Sequence, residues 1–467
     1  MSSGEKSMDG VLNFLSNYGY ALNYADLSDS LVHQVKRRMI DTLGCAMGCY
    51  DMEPPRMARA HALEAVSTPG STVLGTRHKT TPELAAFANG VMVRYLDFND
   101  TSMSGNAGHP SDNIPAVLAA AEYAGATVQT AIAGIVIAYE VQGRFGDACK
   151  DLRARGWDSA IFVGVSAAAG AAKALGLNKD QTAYALALAA VPYAAMGQTR
   201  VGHLSMWKGC TAPNSARNGT FAALLARRGM TGPLEAFDGT RGFKKQLGTT
   251  LKLAAFGGAG VPYTIETDKF KYYPCDYEAQ CAFTPILELH AALHGNIDDI
   301  DKVEIETYDH AIKISADTPD KWSPQNRETA DHSIPYVAAV GLARGKLWLE
   351  DFEEERIREP RIHALMQKIQ VRATDACNRD WPEAYPFRIT VTTKSGHQHL
   401  REIRYAKGHP KNPMSDKDIE AKFLRLTEPV MGQDRARNAL DRLWHLDEMK
   451  TVNEILEPFA LDQTRNL

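Results

Sequence analysis

Between Pro82 and Arg228 the chain strings together six segments, 82–93, 113–124, 127–147, 159–175, 179–196 and 212–228, whose apolar residues recur at three- and four-residue spacing. Strict alternation is not sustained anywhere in this half, so the spacing predicts an all-α domain. Val11 to Ala65 has the same periodicity, with a cap at Ser28 or Asp29, and STVLGTRHKTTPE reads as a short extended piece and turn. Asn178-Lys-Asp180-Gln and Thr211-Ala-Pro213 supply further helix starts. Two uncharged runs, Tyr123–Tyr139 and Thr182–Thr199, are interrupted by Gln, Thr or Pro192 and are rich in Ala and Gly. A membrane span wants roughly twenty predominantly apolar residues. These runs read instead as buried helices whose small side chains let neighbours approach closely.

The texture changes near Lys269. Segments 302–314, 368–374 and 387–403 alternate and are β-branched, the last as a hairpin turning at Lys394-Ser-Gly396, while 278–294 and 331–344 read as helices. Helical periodicity returns from Ser415, after the Pro/Gly-rich AKGHPKNPMS. The expected architecture is mainly α. A helical domain is built from both chain ends, 1–268 plus 405–467, and a smaller α+β lid domain, 269–404, is inserted. A cleft between two such domains is a common place for a small-molecule site.

With 467 residues, 44% of them hydrophobic, the chain has ample core, and a net charge of −4 gives no reason to invoke nucleic acid or an anionic membrane. MSSGEKSMDG lacks the marks of a signal or transit peptide, which makes cytoplasm the expected compartment. Seven cysteines without a C-x-x-C pair argue against a disulfide framework. Cys45 and Cys49, one turn apart, read as small core residues. His290/His294 lack the glutamate of a zincin, and His397/His399 alternate beside a turn, so no metal is expected. No Walker loop, G-x-S-x-G or dinucleotide fingerprint is found, and no cofactor is called for.

The chemistry concentrates in RYLDFNDTSMSGNAGHPSDN, residues 94–113, a polar loop between two apolar helices carrying Arg94, Asp97, Asp100, His109 and Asp112. Loops held by a rigid scaffold often carry binding and catalytic groups, although Asp and Ser there can equally cap helices. Four other places join polar groups to apolar helices. Asp158 precedes one helix as a cap or a site residue. Lys208 precedes the helix that bears Arg217, and both cations suit a substrate carboxylate. Lys271 sits among aromatics ahead of Pro274, with Asp276 beyond it. Asp331 and His332 open a helix, with Tyr336 one turn on.

LDFND, GHPSDN, SMWKG, PLEAFDGTRGF, KYYPCDYEAQ, RETADHSIPY and GHPKNP, spread from about Leu12 to Leu456, resemble the MmgE/PrpD family of 2-methylcitrate dehydratases and cis-aconitate decarboxylases. The resemblance implies a helical domain with an α+β lid and the site between them, homodimers, and metal-independent chemistry on small polycarboxylates. It places Asp97, Thr101, His109, Lys208 and Lys271 among the catalytic positions. Decarboxylase relatives carry histidines where this chain has Asp158-Ser159-Ala160 and Asp276, which points toward the dehydratase branch.

Dehydrating a hydroxy-polycarboxylate needs a base for the proton α to a carboxylate and an acid for the departing hydroxyl. It also needs cations that stabilise the developing charge. Asp97 and His109 are the candidates for base and acid, in either order. Lys208, Lys271, Arg94 and Arg217 are candidate carboxylate ligands, with Asp158, Asp276, His332 and Tyr336 as further substrate contacts. Decarboxylation, epimerisation or another lyase reaction on a related dicarboxylate, and a silent carboxylate-binding paralogue, are the alternatives.

Overall fold

A computed structural model describes residues 8–102, 106, 108–202 and 204–461, and these form two compact units. The first comprises 1–199, 209–268 and 415–467, and the second 200–208 and 269–414. Two segments therefore group differently from the sequence expectation. Residues 405–414 go with the second unit because Phe270 N–H donates to Gly408 C=O at 3.0 Å. Residues 200–208 follow because Asn326 Nδ2 donates to Leu204 C=O (3.3 Å) and Lys208 Nζ to Glu328 C=O (3.0 Å).

The first unit is helical: α1 (Gly10–Ala21), α2 (Asp29–Gly48), α3 (Glu53–Leu63), α4 (Pro82–Arg94), α5 (Ile114–Ala124), α6 (Val128–Ala148), α7 (Ala160–Ala174), α8 (Lys179–Ala190) and α9 (Thr211–Arg227). The tail adds helices Asp416–Met431 and Gln433–Trp444. Ser28 is the cap of α2, its hydroxyl accepting from Leu31 N–H at 3.2 Å, and Asn178 with Gln181 forms a capping box on α8. The α8 helix ends at Ala190 rather than 196, because Pro192 has no N–H to continue the helical hydrogen bonds. Small residues do let the helices touch. A Cβ on Gly170 of α7 would lie 2.7 Å from the Gly134 carbonyl oxygen of α6, so backbone packs on backbone there. A two-residue ribbon, β1 (Ser71–Thr72) with β2 (Lys79–Thr80), is the strand pairing of this unit among the described residues. No helix among the described residues is long and apolar enough to cross a membrane.

The second unit carries a four-stranded sheet in the order β4 (Ile369–Ala373), β3 (Ile300–Thr307), β5 (Phe387–Thr393), β6 (Gln398–Ile403). β3 runs parallel to β4 and antiparallel to β5, with Val303 opposite Val391 and Ile305 opposite Ile389. Those apolar residues share one core with helices Tyr277–Ala292 and Ile334–Arg344. β6 is an edge strand bearing Gln398, His399, Arg401 and Glu402, polar and charged residues that discourage edge-to-edge pairing. The strand expected over 302–314 stops at Thr307, and Asp309–Ser315 is a helix. Asp309 N–H leaves the ladder to donate to Asn378 Oδ1 at 2.9 Å, and Ala311 and Ser315, one turn apart, become the buried pair.

Candidate active site

In the first unit the loop after α4 folds back on itself. Ser102 N–H donates to Gly108 C=O at 2.9 Å, and Thr101 Oγ1 to the same oxygen at 3.3 Å. Gly108 has φ +71°, and a Cβ there would lie 2.8 Å from Ser159 Oγ, so the fold-back requires glycine. His109 Nδ1 lies 2.5 Å from Asp100 C=O. A carbonyl only accepts, so Nδ1 carries the proton and Nε2 is the ring's other nitrogen. That Nε2 is 3.6 Å from Asp97 Oδ1.

Asp97 is buried and adopts φ +50°, a left-handed conformation few non-glycine residues take. Its Oδ1 accepts from Arg94 Nη1 at 2.7 Å, and Arg94 Nε lies 3.9 Å from Asp112 Oδ2. Such strain survives where surroundings over-determine a conformation, typically at functional sites. The loop's other carboxylates hold structure. Asp100 accepts from Ser111 N–H (3.0 Å) and Tyr139 O–H (2.8 Å), with Arg38 Nη1 at 3.4 Å. Burial, and then the Asp100 charge, holds the Tyr139 phenol well above its usual pKa, so it stays a donor. Asp112 accepts from Asn99 Nδ2 at 3.0 Å. Beneath them Asn113 Nδ2 donates to Gln142 Oε1 (2.6 Å) and Ser166 O–H to Asn113 Oδ1 (2.8 Å).

In the second unit Lys208 Nζ donates to Asp331 Oδ1 at 2.6 Å and to Glu328 C=O at 3.0 Å. His332 Nδ1 lies 2.7 Å from the same Oδ1. Asp276 caps helix Tyr277–Ala292, accepting from Glu278 and Ala279 N–H at 2.8 and 3.3 Å, and Ser315 Oγ lies 2.9 Å from its other oxygen. Burial raises the Asp276 carboxyl to about 7 against the opposing pull of His332 and Lys271. Lys271 is 1% exposed.

A family model described as the MmgE/PrpD N-terminal domain matches residues 13–254, and one described as the MmgE/PrpD C-terminal domain matches 273–446. The chain belongs to the MmgE/PrpD family. The 2-methylcitrate dehydratase of Salmonella typhimurium is 29% identical over 473 residues, 95% of this chain and 96% of that protein. The mitochondrial 2-methylcitrate dehydratase of Yarrowia lipolytica is 30% identical over 387 residues, 78% and 72% of the two chains. The cis-aconitate decarboxylase-like protein oryM of Aspergillus oryzae is 24% identical over 476 residues, 95% of each. These names denote lyases, the enzyme class of this MmgE/PrpD member.

Within the first unit the structure brings Arg94, Asp97, Thr101 and His109 together, and within the second Lys208, Lys271, Asp276 and His332. The remaining expected residues have structural partners. Asp158 Oδ1 accepts from Ala160 N–H at 2.9 Å, just ahead of α7. Arg217 Nη2 donates to Asn218 at 3.2 Å, and the buried Tyr336 hydroxyl donates to Asp351 C=O. Sequence reading missed Arg38, Tyr139, Gln142 and Lys422, all buried and polar. The Tyr-Glu and Gln of IAYEVQG, inside an otherwise apolar helix, were the available signal for two of them.

Proposed function

We propose that this protein is a hydro-lyase that dehydrates a small hydroxy-polycarboxylate, 2-methylcitrate or a close analogue, without a metal ion. The observation that carries this reading is the fixed His109 ring: Nδ1–H on the Asp100 carbonyl, Nε2 3.6 Å from an Asp97 carboxylate itself held by Arg94. In that setting the Asp97 charge balances a protonated ring, and His109 Nε2 gives its proton to the departing hydroxyl. Asp97 is then the positioning residue and His109 the acid. Lys208 and Lys271, 4% and 1% exposed, supply positive charge for the substrate carboxylates and for the charge that builds at the α carbon.

Metal independence is supported by the counter-ions already in place. Within the first unit Asp97 has Arg94 and Asp100 has Arg38, and within the second Asp331 has Lys208, so each of these carboxylates already has its own cation. The decarboxylase-like relative makes decarboxylation the second reading. Against it, Asp158 and Asp276, at the positions where decarboxylase relatives carry histidine, both accept helix N–H groups. A homodimer, which the family resemblance implies, is part of the proposal and is checked by light scattering. The test of the acid assignment is His109→Gln. Turnover should fall about 10²- to 10⁴-fold with the fold retained, and wild-type turnover would overturn the assignment.

A further inference from the structure

We propose that Lys422, on the tail helix Asp416–Met431, is a positioning residue for Asp97: it grips Phe98 and so holds the Asp97 carboxylate where it faces His109. This rests on the hydro-lyase reading above, in which Asp97 positions the His109 acid.

Lys422 meets Phe98 twice. Its Nζ donates to the Phe98 carbonyl at 2.7 Å and lies 3.7 Å from the centre of the Phe98 ring. One ammonium group thus holds both backbone and side chain of that residue, through a charge-assisted hydrogen bond and a cation–π contact. The same Nζ lies 2.6 Å from Asp41 Oδ1 on α2, which anchors the cation, and both side chains are buried.

The grip falls one residue past Asp97. On the other side Arg94 Nη1 donates to Asp97 Oδ1 at 2.7 Å, and Asp97 N–H donates to Arg94 C=O at 3.1 Å. Asp97, at φ +50°, therefore sits between two fixed neighbours. A conformation of that kind persists only where its surroundings over-determine it. Releasing Phe98 frees the peptide on the C-terminal side, and the carboxylate 3.6 Å from His109 Nε2 loses its place. Asp100 has its own partners in Tyr139 and Ser111, so the release is confined to the stretch that carries Asp97.

The tail helix is set closely enough to serve as the fixed point. A Cβ on Gly44 of α2 would lie 3.1 Å from Phe423 Cδ2, and one on Gly48 would lie 2.6 Å from Leu426 Cδ2 and 3.3 Å from Leu96 Cδ1. The tail helix, α2 and the start of the loop therefore pack without slack. Stability alone does not call for the ion pair, since apolar residues of similar volume often replace a buried pair without loss. The lysine supplies what an apolar residue lacks, a donor for the Phe98 carbonyl.

The experiment uses the full chain and compares wild type, Lys422→Met and the double variant Asp41→Leu/Lys422→Met. Denaturant titration gives stability, 2-methylcitrate turnover gives kcat and KM, and amide hydrogen exchange is followed over 95–102. The double variant removes both charges of the pair and so recovers much of the stability, but it restores no donor to Phe98. The expected result is that its kcat stays down about 10- to 10²-fold, as for a catalytic group misplaced by about 1 Å, with KM within a few-fold. Exchange over 95–102 is faster by about 10- to 10²-fold, the weight of one hydrogen bond to a charged group, while α2 keeps its wild-type protection. A kcat or an exchange rate that returns to wild type along with stability overturns the proposal, because a merely structural role predicts that recovery. If Lys422→Met alone does not fold, the double variant decides. A wild-type protein inert toward 2-methylcitrate overturns the hydro-lyase reading instead, and the exchange comparison then still decides the role of Lys422.

Discussion

The left-handed backbone of Asp97 yields a prediction whose sign is opposite to the usual one. Asp97→Ala and Asp97→Gly both delete the buried carboxylate, and both leave Arg94 with the Asp112 carboxylate 3.9 Å away. The lost ion pair therefore cancels when the two variants are compared, and what differs is the backbone at φ +50°. An L-residue with a Cβ costs about 1–2 kcal/mol in that region, and glycine costs almost nothing. In the unfolded chain glycine gives back about 0.4–1 kcal/mol through its greater freedom. The net expectation is that the Gly variant is more stable than the Ala variant by about 1 kcal/mol, or roughly 1–2 °C in Tm for a unit of this size. Thermal melts of the two variants under one set of conditions measure it. An Ala variant as stable as the Gly variant, or more stable, would refute the view that strain is stored at Asp97.

Lys422→Met removes the partner that sits 2.6 Å from Asp41 and 2.7 Å from the Phe98 carbonyl, next to the loop that carries Asp97. Breaking a buried pair from one side should cost about 3–5 kcal/mol. Adding Asp41→Leu should recover much of it, read by denaturant titration; a single variant as stable as wild type would contradict this. The Asp276 carboxyl, raised by burial from 3.8 to about 7, binds its proton more tightly in the folded chain. Its contribution to stability is full below pH 3.8 and is lost as pH rises toward 7. The stability difference between wild type and Asp276→Asn should therefore shift against wild type between pH 4 and 7 and level off above. A difference independent of pH would count against the raised value.

Much of the helical framework is legible because the apolar period of three to four residues repeats over whole helices and the caps at Ser28 and Asn178 are local. The helix at Asp309–Ser315 is not legible, since seven residues fit either period and its entry is fixed by Asn378, 69 residues away. The same distinction runs through the site. The 94–113 loop stands out by composition, but which of its carboxylates are structural depends on remote partners. Asp100 is satisfied by Tyr139, 39 residues on, and the Phe98 carbonyl by Lys422, 324 residues on. Asp158 and Asp276 look alike in sequence whether they cap helices or bind substrate, and only their accepted N–H bonds tell the difference.

The central claim is metal-free dehydration, and the most direct measurement follows ultraviolet absorbance of the carboxylate-conjugated C=C bond. Purified protein is given 2-methylcitrate, citrate or cis-aconitate, each with and without a chelator, while released CO₂ is trapped. The expected result is an absorbance rise with a hydroxy acid, unchanged by chelator and without CO₂. Loss of cis-aconitate absorbance with CO₂ release and no reaction of the hydroxy acids, or a rise abolished by chelator, would contradict it.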